Sequence, residues 1–328
     1  MGGVIRNKLN GNPELIDAYH SVFVEYFKLN MIERVDSSEG KIIRYLPHRP
    51  VIRAEKVTSK IRPVFDASAT DDSGTSLNDM LLPGPNLLPE LFHVLIRFRA
   101  FSVSLVADIE KAFLQIGIRP EDRDALRFLW FDVSKPVDAN SNRGDFVEYR
   151  WTRLPFGLTS SPFLLQAVVR HHLEQFRGKD ECQLISDNIY VDDLVLSTPD
   201  EETAKRIKEK AEGIFKTCSM NLRKWTSNIP SLNEKGADSC EIKVLGLHYE
   251  PSTDTVKIAC PKLVNDCPTK RQVLQSIASI FDPLGVIAPV VTTMKLFFQR
   301  IVQLNIEWDE AIPEELSREW NGLKNQLN

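Results

Sequence analysis

Apolar residues recur at helical spacing in NPELIDAYHSVFVEYFKLNMIERV, where Leu15, Ala18, Val22, Phe23 and Phe27 predict an amphipathic helix. KIIRYLPHRPVIR and KIRPVFDAS are β-branched runs broken by proline and predict strands near a sheet edge, where a missing N–H is tolerated. SATDDSGTSLNDMLLPGPN gathers Gly, Pro, Asp and Ser and predicts a loop. FSVSLVADI predicts a short buried strand with Asp108 at its end; PEDRDALRFLWF turns back into another strand, and VSKPVDANSNRGD is a polar hairpin loop. LTSSPFLLQAVVRHHLEQF predicts a helix with Ser160 or Ser161 as its cap and Pro162 in its first turn. CQLISDNIYVDDLVLS reads as two strands joined by a tight turn. In TPDEETAKRIKEKAEGIFKTCSM, Thr198 and Glu201 form a capping box, Pro199 takes the first position, and Ala204, Ile207, Ala211, Ile214, Phe215 and Cys218 make one apolar stripe. KVLGLHYEPSTDTVKI predicts a β-hairpin, and TKRQVLQSIASIFDPLGVIAPVVTTMKLFFQRIVQL reads as helix, Pro/Gly break, helix. No repeats appear, and the irregular mixture indicates an α+β fold rather than successive βαβ units.

Composition narrows this picture only a little. The 328 residues are 42% hydrophobic and 26% charged, which is ordinary for a globular chain of about two domains. There is no long apolar run and no signal-peptide pattern, so no membrane span is expected. Five cysteines without CxxC spacing argue for reduced thiols in a cytosolic setting, and Cys260, Cys267 and His248 fit no familiar zinc spacing. A net charge of −4 speaks against a simple basic protein that coats nucleic acid, but not against a nucleic-acid enzyme with one basic groove.

The candidate chemistry lies in IYVDDLVLS. Asp192 and Asp193 are adjacent carboxylates between two apolar runs, a placement that a divalent cation would stabilise. Asp108, at the end of a separate apolar strand, is the natural third ligand. Two such ions would position and polarise the oxygens of an in-line phosphoryl displacement. The plain alternative is a solvated Asp turn, against which the flanking apolar strands argue.

Several stretches, in this order, resemble the reverse transcriptases: KIRPVFDAS the fingers strand, VADIEKAF the first catalytic block, LPFGLTSSPFLLQ the block beside template and nucleotide, YVDD the second catalytic block, and KVLGLHY the primer-gripping hairpin. RPVFDASA, SLNDMLLPGPNLL, LRKWTSN, LGLHY and SIASIFDPLGVIAPV resemble the BEL/Pao lineage of LTR retrotransposons. The resemblance implies a right-hand polymerase fold with a ferredoxin-like palm sheet. It places an N-terminal helix and fingers at 1–80, palm at 81–118, more fingers at 119–150, the rest of the palm with the primer-grip hairpin at 151–258, and thumb at 259–328.

It further implies RNA-directed DNA polymerase activity, with an RNA template, a DNA or RNA primer and dNTPs as partners. Two Mg²⁺ ions, with Mn²⁺ as a substitute, would be held by Asp108, Asp192 and Asp193, with the Ile109 backbone nearby. Arg62 matches the fingers arginine at the triphosphate, which suits a planar guanidinium fork; Lys60, or else Lys56, would supply a second cation. Phe113 matches the bulky gate under the sugar, which favours dNTPs over rNTPs; its plain reading is core packing. Phe156 and Gly157 would lie beside the nucleotide. Ser161, Pro162, Tyr190, Leu245, Gly246 and Leu247 would touch template or primer. Lys224 and Trp225 would brace the palm or meet duplex, with core packing the plainer role for Trp225. The expected location is a cytoplasmic virus-like particle, and monomer or dimer is left open.

DDSGT imitates the Asp-Ser/Thr-Gly signature of an aspartic protease, but no apolar strand precedes it, so it reads as a turn. No acidic set for an RNase H domain and no integrase zinc pattern is found, so the chain is expected to be a polyprotein segment or a relic of one. Two rivals remain: an RNA-dependent RNA polymerase, opposed by Val191 and Phe113, and a catalytically silent retroelement-derived nucleic-acid-binding protein, opposed by the intact Asp triad.

Overall fold

The computed structural model describes residues 13–35, 42–52, 61–137, 146–176, 178, 180–234, 241–258 and 268–325. Lys56, Lys60, Cys240, Cys260 and Cys267 lie outside them. Two compact bodies are present: Met1–Leu88 with Ile109–Gly178 and Ile214–Asn221, and Pro89–Asp108 with Lys179–Gly213 and Leu222–Asn328.

In the first body, helix α1 (Pro13–Lys28) buries Tyr19, His20 and Phe23. Phe27 and Ala18 are exposed, so the buried face is rotated from the predicted stripe. Tyr19 and Phe23 pack edge-on and tilted against His48 and Trp130. Strands β1 (Ile32–Arg34), β5 (Arg127–Phe131) and β6 (Phe146–Trp151) form an antiparallel sheet in the order β1-β6-β5. Strands β2 (His48–Ile52) and β3 (Ile61–Phe65) form a two-stranded hairpin with Pro50 opposite Pro63, which matches the expected proline-tolerant edges. His48 is buried, accepting from Tyr19 Oη at 2.7 Å and donating from Nε2 to Leu129 O at 3.0 Å. The predicted loop near residue 77 contains a short helix, α2 (Leu77–Met80), started by a Ser76–Asp79 capping box.

In the second body, α3 (Leu91–Phe98), which the pattern does not anticipate, packs on a four-stranded sheet. Its strands are β4 (Val103–Ile109, running into the first body at its last residue), β7 (Ile189–Tyr190), β8 (Asp193–Thr198) and β9 (Leu222–Thr226), in the order β7-β8-β4-β9. Val94 and Phe98 of α3 meet Val106 and Val195 of the sheet and Val244 and Tyr249 of a meander, β10 (Ile242–Val244), β11 (Leu247–Glu250) and β12 (Thr255–Lys257). Three C-terminal helices, α8 (Lys270–Ala278), α9 (Ala288–Val302) and α10 (Glu314–Asn325), close on Val273, Ile277, Met294, Phe297, Ile301, Trp320 and Leu323.

Three local expectations need correction. LISD is not strand but the end of a helix, α6 (Asp180–Asp187); between it and α3, α4 (Ala112–Gln115) and α5 (Ser161–Glu174) belong to the first body. No serine side chain caps α5: Ser161 Oγ instead donates to Pro155 O at 3.0 Å. Helix α7 (Glu201–Thr217) is capped by Asp200, whose carboxylate accepts from the Thr203 N–H at 2.8 Å, while Thr198 still belongs to β8. The aspartate is the stronger acceptor for the helix's first N–H groups. Among the described residues no helix is long and apolar enough to cross a membrane.

Candidate active site

Asp108 lies directly opposite Asp193 in the β4–β8 pairing. Opposed residues on paired antiparallel strands point to the same face, with Cβ atoms about 5 Å apart. Tyr190 pairs with Asp193, so Val191 and Asp192 form the two-residue loop of the β7–β8 hairpin. That loop needs a left-handed residue, and Val191 adopts φ +57°, a strained conformation for a β-branched side chain. The tight turn thus holds Asp192 beside Asp193. Burial first, then the charges of Asp192 and Asp108, push the Asp193 carboxyl up to about 7, against the pull of Lys224. The Lys224 ammonium on β9 reaches the Asp108 carboxylate at 2.6 Å.

The same sheet face carries the neighbouring candidates. Ser104, Val106 and Asp108 alternate onto one side of β4, as Asp193, Val195 and Ser197 do on β8. Tyr190 and Leu245 pack against the cluster centred on Val106 and Val195. Tyr249, its phenol pushed up to about 12 mainly by burial, ties the meander to β4 through Ser104 at 2.6 Å and bonds Asp254 in the meander's own turn at 2.8 Å. Leu245 (φ +49°) and Gly246 (φ +94°) form its turn, and a Cβ on Gly246 would sit 2.6 Å from the Phe281 ring. Leu247 is buried and pairs with Val244 across the turn.

In the first body, three of the residues expected around a nucleotide, Arg62, Phe156 and Phe113, form a contact chain. The Arg62 guanidinium lies 3.9 Å over the Phe156 ring, and that ring is 4.9 Å from Phe113. Phe113 is 9% exposed, in keeping with core packing. Its position follows from the sharp turn at Lys111 (φ +49°) that starts α4. Gly157 has φ +104°, and a Cβ there would meet the Phe65 carbonyl oxygen at 2.4 Å; no other residue fits. Asn78 secures this loop, donating to Gly157 O at 3.0 Å and accepting from the Thr159 N–H at 2.9 Å. Pro162 is exposed at the start of α5, whereas Ser161 is buried. Ile109 is buried at the end of β4.

Among the described residues no three His, Cys, Asp or Glu side chains form a ready-made metal cage. Asp108, Asp192 and Asp193 nevertheless fit a hard cation: all are oxygen donors, and the crowding that raises Asp193 is relieved by positive charge. Sequence reasoning did not foresee the Lys224–Asp108 pair or the Asn78 latch; both depend on register between distant segments, which no local pattern announces. Trp225 is buried, in line with core packing. Asp71 of DDSGT pairs with Arg44 and accepts from Ser73 and Thr75 N–H groups, which makes it a turn.

Residues 57–249 match the family model described as reverse transcriptase (RNA-dependent DNA polymerase), and residues 269–328 match that of a Pao retrotransposon-like RNaseH-like domain. The chain is 32% identical over 145 residues to a Pol polyprotein of feline endogenous virus ECE1, covering 44% of this chain and 12% of that protein. It is 25% identical over 229 residues to the Gag-Pol polyprotein of Rous sarcoma virus subgroup B (strain Schmidt-Ruppin), covering 64% and 14%. The chain therefore spans only a small part of these relatives. Among solved structures it superposes on a foamy viral protease-reverse transcriptase in complex with RNA/DNA hybrid, with a TM-score of 0.62 at 17% identity, covering 97% of this chain and 37% of that one. A foamy viral protease-reverse transcriptase in complex with double-stranded DNA gives 0.61 at 17%, covering 95% and 47%. The fold is that of the right-hand polymerases, as expected.

Proposed function

The chain belongs to the reverse transcriptase family, and on that premise we propose that it extends a primer along an RNA template with dNTPs, as part of a BEL/Pao-type polyprotein. The observation that carries the reading is the placement of Asp108 opposite Asp193 with Asp192 in the adjoining turn. Divalent cations bound there would neutralise phosphate oxygens and favour ionisation of the primer 3′-hydroxyl. Asp108, Asp192 and Asp193 would hold them. The Arg62 guanidinium would bond oxygens of the triphosphate, its plane already oriented by the Phe156 ring. The Phe113 ring would stand where a ribose 2′-hydroxyl needs room. Tyr190 and the Leu245–Gly246 turn, gathered on the carboxylate face, would seat the primer end. The C-terminal helices would act as a thumb along an A-like hybrid, read by shape and backbone rather than by bases.

Primer extension on an RNA template tests this. The expected result is dNTP incorporation that requires Mg²⁺ or Mn²⁺ and discriminates against rNTPs, with Phe113→Val relaxing the discrimination. Equal use of rNTPs by the parent would favour an RNA polymerase. No incorporation by a folded parent that binds RNA would favour the silent-relic reading.

A further inference from the structure

Asp108 and Asp193 share one sheet face with Asp192 in the adjoining turn, and the Lys224 ammonium meets Asp108 there. Lys224 Nζ is 2.6 Å from the Asp108 carboxylate and also lowers the burden on Asp193. The lysine does not reach this point by ordinary strand geometry. Alternation would send Arg223 and Lys224 to opposite faces, yet both are exposed, and Lys224 holds φ +56°, which lysine seldom adopts. Its backbone N–H is fixed in that conformation by the Glu234 carboxylate. The neighbouring strand is therefore bent at the one residue that places a cation on Asp108.

We infer that Lys224 is the resident counter-ion of this site: its ammonium engages Asp108 in the metal-free protein and withdraws when a divalent cation binds. The inference rests on the proposed metal role of the carboxylates. An oxygen held by an ammonium at hydrogen-bond distance cannot take a metal ion without bringing two cations within about 4 Å, where their repulsion is substantial even near the surface. Lys224 has room to leave, since its side chain is 67% exposed and the twisted backbone, not the side chain, is what the fold anchors. Lys224 is thus a positioning residue: it keeps Asp108 oriented and charge-balanced, and it sets how much cation is needed to load the site.

The test is Mn²⁺ binding to the full chain without nucleotide, read from the spectroscopic signal of the unbound ion, for the parent, Lys224→Met, Lys224→Arg and Asp108→Asn. Lys224→Met is expected to bind about tenfold more tightly than the parent, the scale of one removed like charge, with Lys224→Arg close to the parent and Asp108→Asn weaker. Lys224→Gln is the second variant should the methionine chain fail to fold. Equal or weaker binding by Lys224→Met, with Asp108→Asn still impaired, overturns the exchange and leaves the metal site standing. No Mn²⁺ binding by either the parent or Lys224→Met overturns both.

Discussion

Val191 carries the strain that shapes the hairpin tip. A valine at φ +57° is disfavoured by an amount of order 1–3 kcal/mol, so Val191→Gly is expected to raise stability by about 1 kcal/mol in urea unfolding; a loss of similar size would show that the valine side chain contributes more than its backbone costs. Asp193 is a second such position. Its carboxyl is crowded by burial and by Asp192 and Asp108, so Asp193→Asn is expected to stabilise the metal-free protein by about 1–2 kcal/mol at pH 8 and to lose the thermal gain from added Mg²⁺. An unchanged or lower melting temperature in chelator would contradict this. His48 sets a pH dependence. Burial lowers its pKa to about 4, below the ordinary 6.5, so the unfolded chain takes up the proton first. Its contribution is complete above pH 6.5 and is lost as pH falls towards 4, about 3 kcal/mol in all. Urea midpoints should fall with acid across that window, and His48→Gln should reduce that dependence on pH. At this scale the sequence was most informative about acids: an Asp pair between apolar runs is visible without a structure, whereas its counter-ion Lys224 depends on which strand lies beside β4.

Elements were legible where one period dominated. The β2–β3 hairpin, β4, and the broken pair α8 and α9 follow their patterns. The stretch before the Asp pair did not, because LISD is too short to separate a buried helix end from a strand. Its identity is settled by tertiary partners: Asn188, fully buried, donates to Leu184 O and accepts from Arg97. Helix α1 shows the same limit, since apolar Phe27 stays exposed while His20 is buried against Trp130. Glycine positions were better signals. Gly157 sits against the Phe65 carbonyl with φ +104°, so Gly157→Ala is expected to lower stability by roughly 2–4 kcal/mol and displace Phe156 from Arg62. A neutral effect on thermal melting would mean that the loop and β3 separate readily.

For the molecule as a whole, a net charge of −4 is compatible with a nucleic-acid enzyme because carboxylates gathered for cations contribute to it. The right-hand fold was legible from the order of five motifs and not from composition, since 42% hydrophobic residues suit almost any globular chain. The C-terminal helices form their own apolar core around Trp320, and Trp320→Ala is expected to cost about 3–5 kcal/mol. If those helices grip duplex, that variant should shorten extension products more than it slows the first addition. The central claim, that Asp108, Asp192 and Asp193 form a metal-dependent polymerase site, is tested most directly by single-nucleotide primer extension with the parent and the three Asp→Asn variants, each checked for folding. The expected result is incorporation of dNTP by the parent only with Mg²⁺ or Mn²⁺, and a loss of about a thousandfold or more in each variant. Undiminished incorporation by a folded Asp192→Asn or Asp193→Asn chain would contradict it.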